Sequence, residues 1–198
     1  MIARMVSADL AAFVLAGGQS SRMGTDKALV LLDGQTLLSR ALDLAHSVTD
    51  DVRIVGAKEK YSAYAPAVED EFPGNGPLAG IHAALRASRK DLNLILAVDI
   101  PFVSTPLLEY VVSRARDSAA LVTVPRVGRG FQPLCAVYRR AFANAAERAL
   151  RAGQYKIDAL FDASFTQVIG ESELQSAGFA SELFRNLNTP EDIADARR

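Results

Sequence analysis

The chain has 198 residues, 49% hydrophobic and 23% charged, with a formal net charge of −1. That length suits one α/β domain with a buried core and is short for two, and the near-neutral balance excludes the charge signature of a nucleic-acid or membrane-surface partner. A single cysteine, Cys135, excludes an internal disulfide and a thiolate zinc cluster.

Met1 to Asp9 carry charges and no long apolar run, so neither a secretory signal nor a membrane helix is expected and the cytoplasm is the expected compartment. Leu10 to Leu15 is a short unbroken apolar run, the pattern of a strand buried on both faces. Thr36 to Ala45 places Leu37, Leu38, Ala41, Leu42 and Ala45 on one helical stripe. Val52 to Val55 reads as a strand and Lys58 to Tyr64 as a short helix. Gly80 to Ala87 reads as a helix reached through the Gly76 to Leu78 turn, and Leu92 to Val98 is the strongest strand, expected at the sheet centre.

Thr105 before Pro106 predicts an N-cap with proline at the first helical position, opening a helix through Val112. Ala120 to Val124 and Leu134 to Tyr138 read as strands around a turn at Arg126 to Gly130, with Cys135 a small core residue of the second. Arg140 to Arg151 follows as a helix. Phe184 to Leu187 reads as a last strand, and Thr189-Pro190-Glu191-Asp192 as the start of a last helix. Repeated β-α units imply a mostly parallel sheet with helices on both faces, in one domain spanning 1–198.

The segment Leu15-Ala16-Gly17-Gly18-Gln19-Ser20-Ser21-Arg22-Met23-Gly24-Thr25-Asp26-Lys27 follows the first strand, where open α/β sheets bind ligands. Gly17 and Gly18 allow close backbone approach and offer N–H groups, Ser20 and Ser21 add donors, and Arg22 and Lys27 add two cations. Those cations can stand up to about 17 Å apart, so they share one triphosphate only if the loop wraps around it. The spacing fits neither a P-loop nor a G-x-G-x-x-G dinucleotide fingerprint.

Asp99 ends the most apolar strand and is a candidate magnesium ligand, since magnesium takes one or two protein carboxylates beside phosphate oxygens and waters. The competing reading is a turn cap before Pro101. Asp70, after Ala67-Val68, is a candidate for orienting a nucleoside or assisting the metal, against a solvated loop charge. His46 and His82 lack partners at metal or triad spacing and read as helix residues without a catalytic role, and no Gly-x-Ser-x-Gly elbow occurs.

Taken together, Leu15-Ala16-Gly17-Gly18-x-Ser-x-Arg22-Met23-Gly24-x-Asp26-Lys27, Gly76-Pro77-Leu78-Ala79-Gly80, Asp99-Ile100-Pro101, Gln132-Pro133-Leu134 and Asn186-Leu187-Asn188-Thr189-Pro190-Glu191 resemble the molybdenum cofactor guanylyltransferases. The resemblance implies a three-layer Rossmann-like nucleotidyltransferase fold, with a nucleotide-binding N-terminal part and an acceptor-binding C-terminal part. It implies a reaction in which GTP and phosphate-bearing molybdenum-molybdopterin give the guanine dinucleotide cofactor and pyrophosphate. Transient contact with maturation proteins of molybdenum enzymes is implied as well.

Carried over by position, Leu15, Ala16 and Gly17 contact the guanine nucleotide, Arg22 and Lys27 hold phosphates, and Asp70 contacts the nucleotide. Asp99 binds Mg2+, and Asn186 and Asn188 lie on the pterin side. The chain departs from some relatives at Gly56, where they place a nucleotide-contacting asparagine, and at Gln132, where they carry histidine. Cytidylyltransferases for the same pterin usually show Leu-Ala-Ala-Gly and Asp-Gln-Pro, whereas Leu-Ala-Gly-Gly and Asp-Ile-Pro here favour guanine. A non-catalytic nucleotide-binding module is the rival from another class, and it has no need of the Asp99 carboxylate.

Overall fold

The computed structural model describes residues 8–17 and 26–196. Strand β1 (Leu10–Leu15) is buried along its whole length, as its unbroken apolar run predicts. A 3₁₀ turn at Lys27–Leu29 leads into a two-stranded antiparallel hairpin of β2 (Leu31–Leu32) and β3 (Gln35–Thr36). Helix α1 (Leu37–His46) then starts at Thr36, whose hydroxyl accepts from the Ser39 N–H at 3.1 Å.

Strand β4 (Val52–Val55), helix α2 (Lys58–Tyr61), strand β5 (Ala67–Val68) and helix α3 (Pro77–Ala87) come next. Helix α2 ends at Tyr61, three residues short of the predicted end. Helix α3 begins three residues earlier than expected, because Pro77 is already its first residue and Gly76, at φ +74°, makes the reversal that admits it.

Strand β6 (Leu92–Ala97) is followed by helix α4 (Thr105–Arg116). The predicted Thr105 cap is corrected by one residue: Ser104 flanks the helix without a side-chain cap bond, and the Thr105 hydroxyl instead donates to Ser47 Oγ at 2.9 Å. The chain continues with β7 (Val122–Val127), β8 (Gly130–Phe131), β9 (Cys135–Arg139), α5 (Ala143–Arg151), β10 (Thr166–Ile169), α6 (Glu171–Ser176) and α7 (Pro190–Ala196).

The main sheet has the order β10-β7-β9-β6-β1-β4-β5, with β8 paired to the end of β7. Strand β6 is central, as predicted. Strands β5, β4, β1 and β6 run parallel, and β9 enters antiparallel between β6 and β7. From β1 the chain adds β4 and β5 on one side, then crosses to place β6 on the other. The crevice beside β1 is therefore a topological switch point, the place where open α/β sheets receive ligands.

Alternation along β1 supplies both core layers. Leu10, Ala12 and Val14 pack with α1 and α4, while Ala11, Phe13 and Leu15 pack with α3 and α5. Burying a side chain of the size of Phe13 or Leu10 contributes about 1.5–3 kcal/mol. Three layers, helices on a mostly parallel sheet, are the result.

Phe184 to Leu187 is not a strand. Ser181–Phe184 is a 3₁₀ turn, and the Leu187 N–H donates to the Asp99 carbonyl at 2.8 Å rather than to a ladder. Phe184 and Leu187 are apolar because they plug the core on the α1 and α4 side.

Candidate active site

Strand register aligns four exits along one edge of the sheet. Leu15 is level with both Val55 and Ala97, and Val55 is level with Val68. Two residues farther on stand Gly17 after β1, Ala57 after β4, Asp70 after β5 and Asp99 after β6. With strands spaced by about 4.8 Å, Asp70 and Asp99 are about 14 Å apart across this edge, close to the span of an extended nucleoside triphosphate.

Over the β1, β4 and β5 exits lies a cavity of about 610 Å³, a size ordinary for a small-molecule site. Leu15, Gly17, Gly56, Asp70, Gly76 and Gly80 are among its lining residues. Asp70 does two things there: it faces the cavity, and its Oδ1 accepts from the Phe72 N–H at 2.7 Å, closing a turn. Asp70 is thus tied into a turn rather than being only a solvated loop charge, and it still faces the cavity. Glu69, also in the lining, carried no motif signal and was not anticipated.

On the β6 side of β1, the Lys27 ammonium donates to Asp99 Oδ2 at 2.9 Å and to Asn188 Oδ1 at 2.8 Å. Lys27 and Asp99 are both largely covered, with side chains 16% and 25% exposed, so their attraction is less screened than that of a surface pair. An ammonium has three donors, and among the described residues two are taken. The third is free to meet a phosphate oxygen.

Three expected site residues from distant parts of the chain therefore meet. Asn188 is held by a reciprocal cap at the start of α7. The Asp192 carboxylate accepts from the N–H groups of Asn188 and Thr189 at 2.8 and 2.9 Å, and the Thr189 hydroxyl accepts from the Asp192 N–H at 3.1 Å. The two backbone N–H groups hold the Asp192 carboxyl below its ordinary range. Asn186 is exposed two residues before Asn188 on the same segment.

The β1 exit differs in one respect from the expectation. The Ala16 and Gly17 N–H groups both donate to the Val55 carbonyl, at 3.0 and 3.2 Å. The Gly17 amide is thus committed to the sheet edge, and this residue meets the cavity through its small Cα face. Arg22, Gly18, Ser20, Ser21 and Gly24 lie outside the described residues.

The departure at Gly56 has a steric cause. A Cβ there would stand 2.8 Å from Tyr61 Cε2 and 2.9 Å from Cδ2, so the tyrosine ring takes the space of any side chain. The phenol oxygen lies 2.7 Å from Asp26 Oδ2 and 3.2 Å from the Ala16 carbonyl oxygen. A lone tyrosine in a short helix gave no warning of these contacts. Burial, then the Asp26 carboxylate, push the Tyr61 hydroxyl well above its ordinary range, so it keeps its proton.

Neither histidine joins the site. His46 is exposed at the end of α1, and His82 is buried in α3 with its ring edge-on to Phe72. Cys135 is buried in β9, and burial pushes its thiol up to about 12. Among the described residues no three histidine, cysteine, aspartate or glutamate side chains gather as a metal-binding group. Asp99 offers a part-exposed hard oxygen donor beside the switch point, which fits an ion that takes most of its ligands from phosphates and water. No helix of the described residues is long and apolar enough to cross a membrane.

The family model of the MobA-like NTP transferase domain matches residues 12–168. A probable molybdenum cofactor guanylyltransferase of Pelotomaculum thermopropionicum is 34% identical, over 93% of this chain and 90% of its own length. The molybdenum cofactor guanylyltransferase of Desulfosudis oleivorans is also 34% identical, over 92% of each chain. The crystal structure of molybdopterin-guanine dinucleotide biosynthesis protein A from Archaeoglobus fulgidus superposes with a TM-score of 0.82 at 29% identity, covering 94% of this chain and 96% of that one. Sequence and fold thus agree over nearly the whole length, and the chain belongs to the MobA-like NTP transferases as a nucleotidyltransferase of the molybdenum cofactor guanylyltransferase family.

Proposed function

We propose that this chain transfers GMP from GTP to the phosphate of molybdenum-molybdopterin, forming the guanine dinucleotide cofactor and pyrophosphate. The observation that carries the assignment of residues is the Lys27–Asp99 contact at the switch point, on the same sheet edge as the 610 Å³ cavity. The nucleoside fits that cavity beside Asp70, and the phosphates run across β1 toward Lys27. The acceptor approaches from the C-terminal part, by Asn186 and Asn188. One domain holds both ends of the reaction, and we place it in the cytoplasm.

The acceptor phosphate attacks the α-phosphorus in line, forming a new phosphoanhydride bond as the bond to the β-phosphate oxygen breaks. A phosphate monoester with its second pKa near ~6 is already an anion at neutral pH, so no general base is required. That agrees with the placement of both histidines away from the site. Lys27 neutralises charge that builds on the leaving pyrophosphate, and Asn188 steers the ammonium. Asp99 would hold Mg2+, which supplies Lewis-acid stabilisation of the phosphate oxygens when bound.

The test is pyrophosphate release from each of the four ribonucleoside triphosphates by purified protein with the molybdenum-molybdopterin acceptor. Release with GTP alone, abolished by chelation, is the expected result. Release with CTP instead would overturn the guanine assignment, and binding of GTP without release would overturn the enzymatic one.

A further inference from the structure

Tyr61 closes α2 and is 3% exposed, yet nothing in the reaction as described uses it. Its contacts join two strand exits to the residue that precedes Lys27. The ring covers Gly56 after β4, and the hydroxyl lies against the Ala16 carbonyl after β1 and against Asp26 Oδ2. The other oxygen of Asp26 accepts from the Ala28 N–H at 3.1 Å, capping the 3₁₀ turn whose first residue is Lys27.

Asp26 is thereby oriented from two sides. Lys60 also reaches Oδ2, at 3.3 Å, but it is 61% exposed and adds a weak, screened contact. The buried phenol supplies the short, charge-assisted bond. Lysine has four rotatable side-chain bonds, so where its ammonium rests depends on how firmly its backbone is held. Here that backbone is capped by a carboxylate, and the carboxylate accepts the single proton of a hydroxyl whose ring is packed against the exit of β4.

We propose that Tyr61 is a positioning residue for the reaction, setting Lys27 through Asp26 while leaving the nucleoside cavity to other side chains. The proposal rests on the reading of Lys27 as a phosphate-binding cation. Its chemistry is a relay of fixed hydrogen bonds, with no proton transferred.

The experiment compares Tyr61→Phe, Lys27→Ala and the double variant. Tyr61→Phe keeps the ring against Gly56 and removes only the hydroxyl. Its kcat for guanylyl transfer falls about ten- to hundredfold, the usual cost of a small misplacement at a reacting centre. Guanosine affinity is unchanged, because the cavity wall is intact. Adding Tyr61→Phe to Lys27→Ala causes no further loss, because the hydroxyl acts through the lysine.

Wild-type turnover in Tyr61→Phe beside an inactive Lys27→Ala would overturn the relay and leave the role of Lys27 standing. Loss of guanosine affinity in step with turnover would reduce Tyr61 to a packing residue and also overturn it. Normal turnover in Lys27→Ala would overturn the phosphate role of Lys27 and the relay together.

Discussion

Lys27 stands between an aspartate from the end of β6 and an asparagine from the segment before α7, and each neighbour affects what the ammonium can do. Lys27→Ala removes the cation where transition-state charge gathers, and turnover should fall about a hundred- to thousandfold, or about 2.7–4 kcal/mol, with the fold retained. Steady-state kinetics and circular dichroism check both halves. Gly56→Ala is expected to act on stability: its new Cβ would sit within 3 Å of the Tyr61 ring, and overpacking of this kind costs about 1–3 kcal/mol. Urea denaturation tests that, and an unchanged midpoint would mean that the ring is not held where it is seen. Lys27 and Asp99 were legible in the sequence because a cation after a glycine-rich segment and a carboxylate at a strand end are local signals. The Asp26–Tyr61 bond joins residues 35 positions apart, and no spacing rule announces it.

At the scale of elements, periodicity decided what could be read. Strands β1 and β6 and helix α1 carry unbroken or regularly spaced apolar residues and fall where the pattern puts them. Strand β10 was missed because it lies at the sheet edge, where only Ile169 of Thr166–Ile169 is fully buried, so no apolar run marks it. Strand β5 is two residues long and too short for any periodic signal. Phe184 to Leu187 misled for the opposite reason, since core contacts of irregular backbone imitate a strand. The start of α7 was legible from Thr189-Pro190, and it carries a pH prediction. The Asp192 carboxyl is lowered from 3.8 in the folded protein, so its cap on Asn188 is fully present above 3.8 and is lost as pH falls through the lowered value. The amide resonances of Asn188 and Thr189 should therefore hold steady down to pH 4 and shift only below it. Movement centred at or above the unperturbed value would contradict the cap.

Across the whole molecule, the sheet order brings distant parts of the chain to one site: residues 15–17 and 26–27, 69–70 and 99, and 188. Such an arrangement makes binding and global folding interdependent, because ligands that bind only the folded state stabilise it. Cys135 reports on that folding, being buried in β9 next to the central strand with its thiol pushed up to about 12. Alkylation by iodoacetamide at pH 8 should be negligible in the native protein and should follow the unfolding transition, shifting to higher denaturant when GTP is present. Rapid labelling of the native protein would contradict the packing around β9. The fold class was legible because alternating β-α units leave few topologies, whereas the insertion of β9 antiparallel between β6 and β7 depends on long-range pairing that a linear pattern does not show. The most direct measurement of the proposed chemistry is single-turnover transfer of labelled GMP from GTP to the molybdenum-molybdopterin acceptor by wild-type protein and by Asp99→Ala, with folding verified in parallel. Loss of transfer by about a hundredfold or more in folded Asp99→Ala is the predicted result, and near-normal transfer would contradict the assignment of Asp99 to the reaction.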